Sequence, residues 1–218
     1  MVVGGLCYTG VAGAFSRELL LYAGGSIPLM LIAGAVTSFV LGMGMTVSAC
    51  YIFLSILLAP ALVEAGLNPL ASHLFILYWG MMSYITPPVS LAAITAANVA
   101  GANAWATGLN AMRLGSVLFI LPFMFVVNPA LILQGEVTVI LLAAMTAITA
   151  MWIFASGLEG YLYRAGTIAW PVRIVLFIAG GMLAFPGLKT DAVGLSCLAL
   201  AYVLASFVPR MCIRKPAL

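Results

Sequence analysis

Ser83-Tyr84-Ile85-Thr86-Pro87-Pro88-Val89-Ser90 lies in the middle of an apolar run from Leu70 to Ala100. The run is long enough to cross a bilayer, which takes about 20 residues as a helix. A continuous helix cannot pass through it. Each proline lacks the amide donor of its turn and its ring clashes with the carbonyl one turn back, and the residue before a proline is pushed out of helical geometry. The run therefore reads as two half-helices meeting at an unwound break. At membrane depth, backbone without partners is tolerated only when it is buried in protein or lines a cavity. Broken helices at the midplane are a common way for secondary transporters to build substrate and ion sites.

The rest of the chain agrees with a membrane setting. Of its 218 residues, 65% are hydrophobic and 6% charged, and the mean hydropathy is +1.25. A soluble domain carries about 25% charged residues. The reading is an all-α integral membrane protein. A net charge of +3, scattered along the chain, gives no footprint for nucleic acid. Cys7, Cys50, Cys197 and Cys212 form no CxxC pair and read as small apolar residues. His73, the one histidine, excludes a histidine-rich metal centre. No nucleophile elbow, HExxH or phosphate loop is present, so no enzyme activity and no cofactor are expected. Met1 is followed by an apolar run without a basic stretch or a small-residue cleavage site, so it reads as the start of a membrane segment rather than a signal peptide.

Charges and turn residues divide the sequence. Val2 to Phe15 is apolar and is closed by Arg17-Glu18. Leu19 to Leu41 and Ala49 to Leu62 flank Gly42-Met43-Gly44-Met45-Thr46-Val47-Ser48, forming a hairpin over 19–62. Glu64 to Pro69 is a turn, and the broken helix follows over 70–100. Gly101 to Met112 reads as a short amphipathic piece with Asn103 as a candidate N-cap. Leu114 to Val127 reads as a span ended by Asn128-Pro129. Val137 to Ser156 is a clean span, Gly157 to Pro171 a loop, and Val172–Phe185 and Ala192–Val208 two shorter spans. The division expected is residues 1–133 as one unit and 134–218 as a membrane extension of about three helices. Lysine and arginine mark the cytoplasmic side. Arg164, Arg173, Arg210, Arg214 and Lys215 share one face, with Lys189 opposite. The C-terminus is then cytoplasmic, Arg113 lies inside, and Glu64, His73, Glu136 and both ends of the 19–62 hairpin lie outside.

Two stretches carry the candidate chemistry. At Gly42–Ser48, Gly42 and Gly44 let the chain reverse and approach a partner closely. Thr46 and Ser48 stand where the next helix starts, and their hydroxyls can cap it or coordinate an ion; an ordinary glycine turn is the alternative. At Ser83–Ser90, the first half-helix ends with carbonyls of Ser83, Tyr84 and Ile85 suited to Na⁺. The second half starts with free N–H groups and a positive dipole end that favours an anion such as a carboxylate. Ser90, Thr95 and Asn98 add polar groups, the last two sharing a helix face. A proline kink with each hydroxyl bonded to its own helix is the alternative. All five acidic residues fall at ends or in loops. A carboxylate proton relay therefore has no candidate, and Na⁺ is favoured over H⁺ as coupling ion.

Read in order, Leu41-Gly-Met-Gly-Met-Thr-Val-Ser-Ala-Cys-Tyr-Ile52, Ala59-Pro-Ala-Leu62, His73-Leu-Phe-Ile-Leu-Tyr-Trp-Gly80, Ser83-Tyr-Ile-Thr-Pro-Pro-Val-Ser-Leu-Ala92, Ala100-Gly-Ala-Asn103, Thr107-Gly108, Ala111-Met-Arg-Leu-Gly115 and Asn128-Pro-Ala-Leu131 form a series. It resembles the large permease subunit of tripartite ATP-independent periplasmic (TRAP) transporters, most closely the fused type that works with TAXI-family binding proteins. The resemblance covers about residues 1–133. It implies an elevator-type fold with two inverted repeats, each holding a re-entrant hairpin and a broken helix. It implies inward transport of organic acids, dicarboxylates among them, by Na⁺ symport across the bacterial inner membrane. The implied partners are a periplasmic solute-binding protein and a small membrane subunit. The ion would sit among Gly42, Gly44, Thr46, Ser48, Ser83, Tyr84 and Ile85. The substrate would sit near Thr86, Pro87, Pro88, Ser90, Thr95 and Asn98.

The chain departs from the family pattern at the hairpin tip, where Thr46 stands in place of a frequent proline and Val47 in place of a threonine. It departs again at Tyr84, where many relatives carry aspartate. One inverted repeat is recognisable, so the chain reads as the C-terminal part of a permease that needs a missing N-terminal half. The alternative reading is a non-transporting remnant or assembly subunit.

Overall fold

The computed structural model describes residues 26–207 except 164 and 186, and in addition residues 14, 18, 21 and 24. The apolar run over 2–15 apart from Ala14, Arg17, most of 19–25, Arg164 and the basic tail at Arg210, Arg214 and Lys215 lie outside the described residues. The chain divides into two compact units, Met1–Ile132 and Leu133–Leu218. Apart from one short hairpin, the regular structure described is helical.

The first unit is built around the two stretches singled out above. Helix α1, Ile27–Gly42, has Pro28 in its first turn, where the missing N–H costs nothing. It ends at the glycine tip, where Gly44 takes φ +80°. Helix α2, Val47–Leu57, is capped by Thr46, whose hydroxyl accepts from the amide of Ala49. A short helix α3, Ala59–Glu64, restarts at Pro60 and ends at Gly66, φ +89°. Helix α4, Pro69–Met81, opens on Asn68, whose side-chain oxygen accepts from the amides of Leu70 and Ala71. A 3₁₀ turn, Met82–Tyr84, follows, and helix α5 runs over Leu91–Ala100. Asn103 caps α6, Ala104–Leu114, by accepting from Ala106.

Beyond α6 the expected span over Leu114–Val127 is not one helix. A 3₁₀ turn over Ser116–Phe119 leads into α7, Leu121–Val127, and the chain bends by 61° between Ala104–Leu114 and Ser116–Val127. The bend lies at Gly115, where the α6 ladder ends with the Gly115 amide on the Ala111 carbonyl and the 3₁₀ turn begins with the Leu118 amide on Gly115. Pro122, in the first turn of α7, has no amide to give to Leu118. The core of this unit is Leu54, Leu58, Leu62, Phe75 and Ile76, all fully buried. Aromatic edges join α7 to α4: Phe123 packs T-shaped on Phe75 and on Trp79, with centroids 5.3 and 5.8 Å apart, and Tyr78 packs on Phe125.

The second unit is a three-helix assembly. Helix α8, Val137–Glu159, is 23 residues long and ends at Gly160, φ +70°. Among the described residues it is the one unbroken helix long and apolar enough to cross a membrane. Between α8 and helix α9, Trp170–Ala184, the expected loop contains a two-residue antiparallel hairpin, Tyr161–Leu162 (β1) against Gly166–Thr167 (β2). Helix α10, Leu188–Phe207, completes the unit. The helices meet through small residues, as membrane helices do where burial alone gives little attraction. Ala143, Ala147 and Ala150 line the buried face of α8. Gly180 of α9 leaves room for the Phe154 ring, and Gly194 of α10 for Leu183.

Candidate functional site

Tip and break are far apart in sequence and touch in space. The backbones of α1 and α4 come together at Gly42 and Gly80, so closely that a methyl group on Gly42 would collide with the Gly80 carbonyl oxygen. On the other side of α4, Gly80 faces the Cys50 thiol of α2. Both arms of the hairpin therefore close on the end of the first half-helix, and two glycines are what allows it.

Hydrogen bonds lock the contact. The buried Ser83 hydroxyl lies 2.9 Å from the Gly42 carbonyl oxygen and 3.0 Å from that of Gly80, and its single hydrogen is shared between them. Tyr84, half-buried, donates its phenol to the Met45 carbonyl at 3.0 Å. The Thr86 hydroxyl donates to the Met82 carbonyl at 2.8 Å.

Those prolines strip donors from a definite set of carbonyls. In a helix the Ser83 carbonyl would receive the amide of residue 87, and the Tyr84 carbonyl that of residue 88. In a 3₁₀ turn, Tyr84 and Ile85 would look to the same two residues. Both are proline, so Tyr84 loses both patterns, Ser83 the α-helical one and Ile85 the 3₁₀ one. Among the described residues no donor reaches the carbonyl oxygens of Ser83, Tyr84 or Ile85. The Thr86 carbonyl does receive the amide of Ser90, closing the turn. The Pro87–Pro88 peptide is cis.

The second half-helix starts at Leu91, and its N-cap residue is Ser90, buried, with φ 29° and ψ 50°. A non-glycine residue there is strained by about 1–3 kcal/mol, and such strain persists only when the surroundings impose it. The surroundings here are α6: a methyl on Gly108 would stand 2.9 Å from the Ser90 hydroxyl and 3.2 Å from the Pro87 ring, and one on Gly115 would stand 2.6 Å from the Ile85 side chain. The Ser90 side chain makes no capping bond to α5. The expectation of free amides directly after Pro88 needs one correction, because the Ser90 amide is used by Thr86. The uncapped helix start is displaced to Leu91.

Not every expected residue joins this junction. Ser48 is exposed on α2, two residues past the cap. Thr95 and Asn98 are exposed on α5, opposite the buried Ala93 and Ala97, and the Thr95 hydroxyl donates to the Leu91 carbonyl of its own helix at 2.8 Å. Conversely, Gly80, Gly108 and Gly115 shape the break and were not singled out as site residues. The only hint was their place in a glycine-bearing series. Tyr51 and His73 add a further tie between α2 and α4, the phenol and Nδ1 lying 3.1 Å apart.

No curated protein and no solved structure matches the chain. Residues 1–140, which hold the tip, the break and the helices around them, match the family model described as the DctM component of tripartite ATP-independent periplasmic transporters. That family is one of inner-membrane permeases, transporters rather than enzymes. With about two thirds of its length matched and both motif regions inside the match, this chain belongs to the DctM family, the large permease subunits of TRAP transporters.

Proposed function

We propose that the chain forms part of a Na⁺-driven symporter that imports organic acids delivered by a periplasmic binding protein. The observation that carries this reading is the tip–break junction, where three adjacent carbonyls ahead of Pro87-Pro88 lack donors beside a glycine tip. Unpaired carbonyls are hard oxygen ligands of the kind a small cation takes, and in a membrane they are tolerated only where something satisfies them. In this reading Ser83, Tyr84 and Ile85 supply carbonyls, Gly42, Gly44 and Thr46 form the facing side, and the exposed Ser48 lies two residues further along α2. The substrate carboxylate is drawn to the start of α5 beside Thr86, Pro87, Pro88 and Ser90, with Thr95 and Asn98 further along.

The α1–α2 hairpin is then re-entrant from the outer face, and α4 and α5 are halves of one broken helix in an elevator-type transport domain. Residues 1–133 form the transport repeat and 134–218 the membrane extension, with the C-terminus cytoplasmic. The partners are the binding protein, a small membrane subunit and the complementary permease repeat.

The test is uptake in proteoliposomes containing this chain, alone and with those partners, under an imposed Na⁺ gradient or an imposed pH gradient, over dicarboxylates and amino acids. Uptake driven by Na⁺ only in the complete set is expected. Uptake driven by the pH gradient alone would replace Na⁺ with H⁺, and correct insertion without any uptake would overturn the transport reading.

A second expectation concerns the cap. Thr46→Ala removes the acceptor for the Ala49 amide and costs about 1 kcal/mol of helix stability, and it also removes a hydroxyl from the ion side. Ser48→Ala removes only a hydroxyl. Both are expected to raise the Na⁺ concentration for half-maximal uptake, and only Thr46→Ala to lower thermal stability. An unchanged Na⁺ dependence in both variants would leave the hydroxyls as structural groups alone.

A further inference from the structure

The grip on the hairpin tip is two-sided. Ser83 holds the carbonyl of Gly42, the last residue of α1, and Tyr84 holds the carbonyl of Met45, just ahead of the cap of α2. Consecutive residues of the break thus bind the tip where the chain enters it and where it leaves. Neither carbonyl has another donor among the described residues. Gly44, at φ +80°, has no neighbour within 4 Å of a methyl placed on it, so the apex itself is open, while Met45 beside it packs partly buried against the core of the unit. We infer that the Tyr84 phenol is a clasp that fixes the hairpin tip to the broken helix, so that the two move as one body rather than the tip lifting away as a gate.

Two features make Tyr84 the deciding half of the clasp. Ser83 shares its one hydrogen with Gly80 of its own helix, so its hold on Gly42 is divided, whereas Tyr84 gives its hydrogen to Met45 alone. Tyr84 also lies in the segment whose carbonyls lack donors, so the same bond that seats the tip fixes the direction of that segment. A carboxylate at this position could not do this, because an ionised carboxylate only accepts hydrogen bonds and the group facing it is a carbonyl. Tyr84 is a positioning residue here, and this role rests on the reading of tip and break as one transport site.

The test places a reporter at the tip. In a background lacking Cys7, Cys50, Cys197 and Cys212, Met43→Cys is labelled with a maleimide in proteoliposomes of the full chain, with Tyr84 intact or changed to Phe, in sodium chloride and in choline chloride. Loss of one hydrogen bond is expected to speed labelling roughly 3- to 10-fold in choline. 4-Aminophenylalanine at position 84, which keeps a donor in place, is expected to restore the slow rate. If Tyr84→Phe fails to insert, O-methyltyrosine at position 84, which keeps the ring and loses the donor, gives the same comparison. A labelling rate that does not change when the donor is removed overturns the clasp, whatever sodium does. Faster labelling without the donor, with no effect of sodium on the parent, keeps the clasp and overturns the sodium reading of the site.

Discussion

Replacing Pro87 and Pro88 together by alanine is expected to lower uptake by about 100-fold or more while the protein still inserts and folds. Two amides return, which an α-helix would give to the Ser83 and Tyr84 carbonyls and a 3₁₀ turn to those of Tyr84 and Ile85. Each restored backbone bond stabilises by about 1 kcal/mol, so helix can propagate from α4 towards α5. The bare carbonyls and the uncapped start at Leu91 both disappear. Thermal stability in detergent is expected to hold or rise, which separates loss of a site from loss of a fold. Full uptake by the double variant would show that the break is an ordinary kink and would sink the site assignment. A loss in which Tm and uptake fall together would assign the prolines to folding.

Gly42→Ala is expected to be the most damaging single methyl addition in the first unit. Its new carbon collides with the Gly80 carbonyl oxygen and stands 3.1 Å from the Gly80 carbonyl carbon and Cα. The obstacle is backbone, which cannot rotate away as a side chain can. Overpacking of this kind costs about 1–3 kcal/mol, or several degrees of Tm in a chain of this size. Parting the helices also stretches the Ser83 hydrogen bond to Gly42. The informative partner variant is Gly44→Ala, two residues on, where nothing lies within 4 Å and only the positive φ is at stake. That costs about 1–2 kcal/mol and leaves the α1–α4 contact intact. Thermal unfolding of both variants, with uptake measured on the folded fraction, distinguishes the two causes. A Gly42→Ala variant as stable as the parent would mean that the Gly42–Gly80 approach does not hold tip to break.

These expectations differ in how much of their basis could be read from the chain itself. Local rules did well where a residue acts on its own backbone. The Asn103 cap, the end of α4 ahead of Thr86 and the restart of helix after Ser90 all follow from groups within four residues of each other. The Leu114–Val127 stretch shows the limit of hydropathy. Its apolar content is continuous, yet the chain bends at Gly115 and changes from 3₁₀ to α-helix ahead of Pro122, which has no amide to offer. The small β1–β2 hairpin, two residues to a strand, lay in a loop whose composition gives no periodicity to count.

The sequence alone determined that this is a helical membrane protein, that its helix over 70–100 must break at Pro87-Pro88, and that a glycine turn precedes a capped helix at Thr46. Those are consequences of hydropathy, absent donors and steric freedom, all local quantities. Only the tertiary structure decided that tip and break are one junction. The ties that make it so, Ser83 to Gly42 and Tyr84 to Met45, span 41 and 39 residues and end on carbonyl oxygens, which every residue has and no sequence pattern marks. The same holds for the glycine contacts of Gly42 with Gly80 and of Gly108 with Ser90, where the deciding feature is the absence of a side chain. It holds also for Thr95 and Asn98, whose polarity made them candidates and whose place on the exposed side of α5 was fixed by the burial of Ala93 and Ala97.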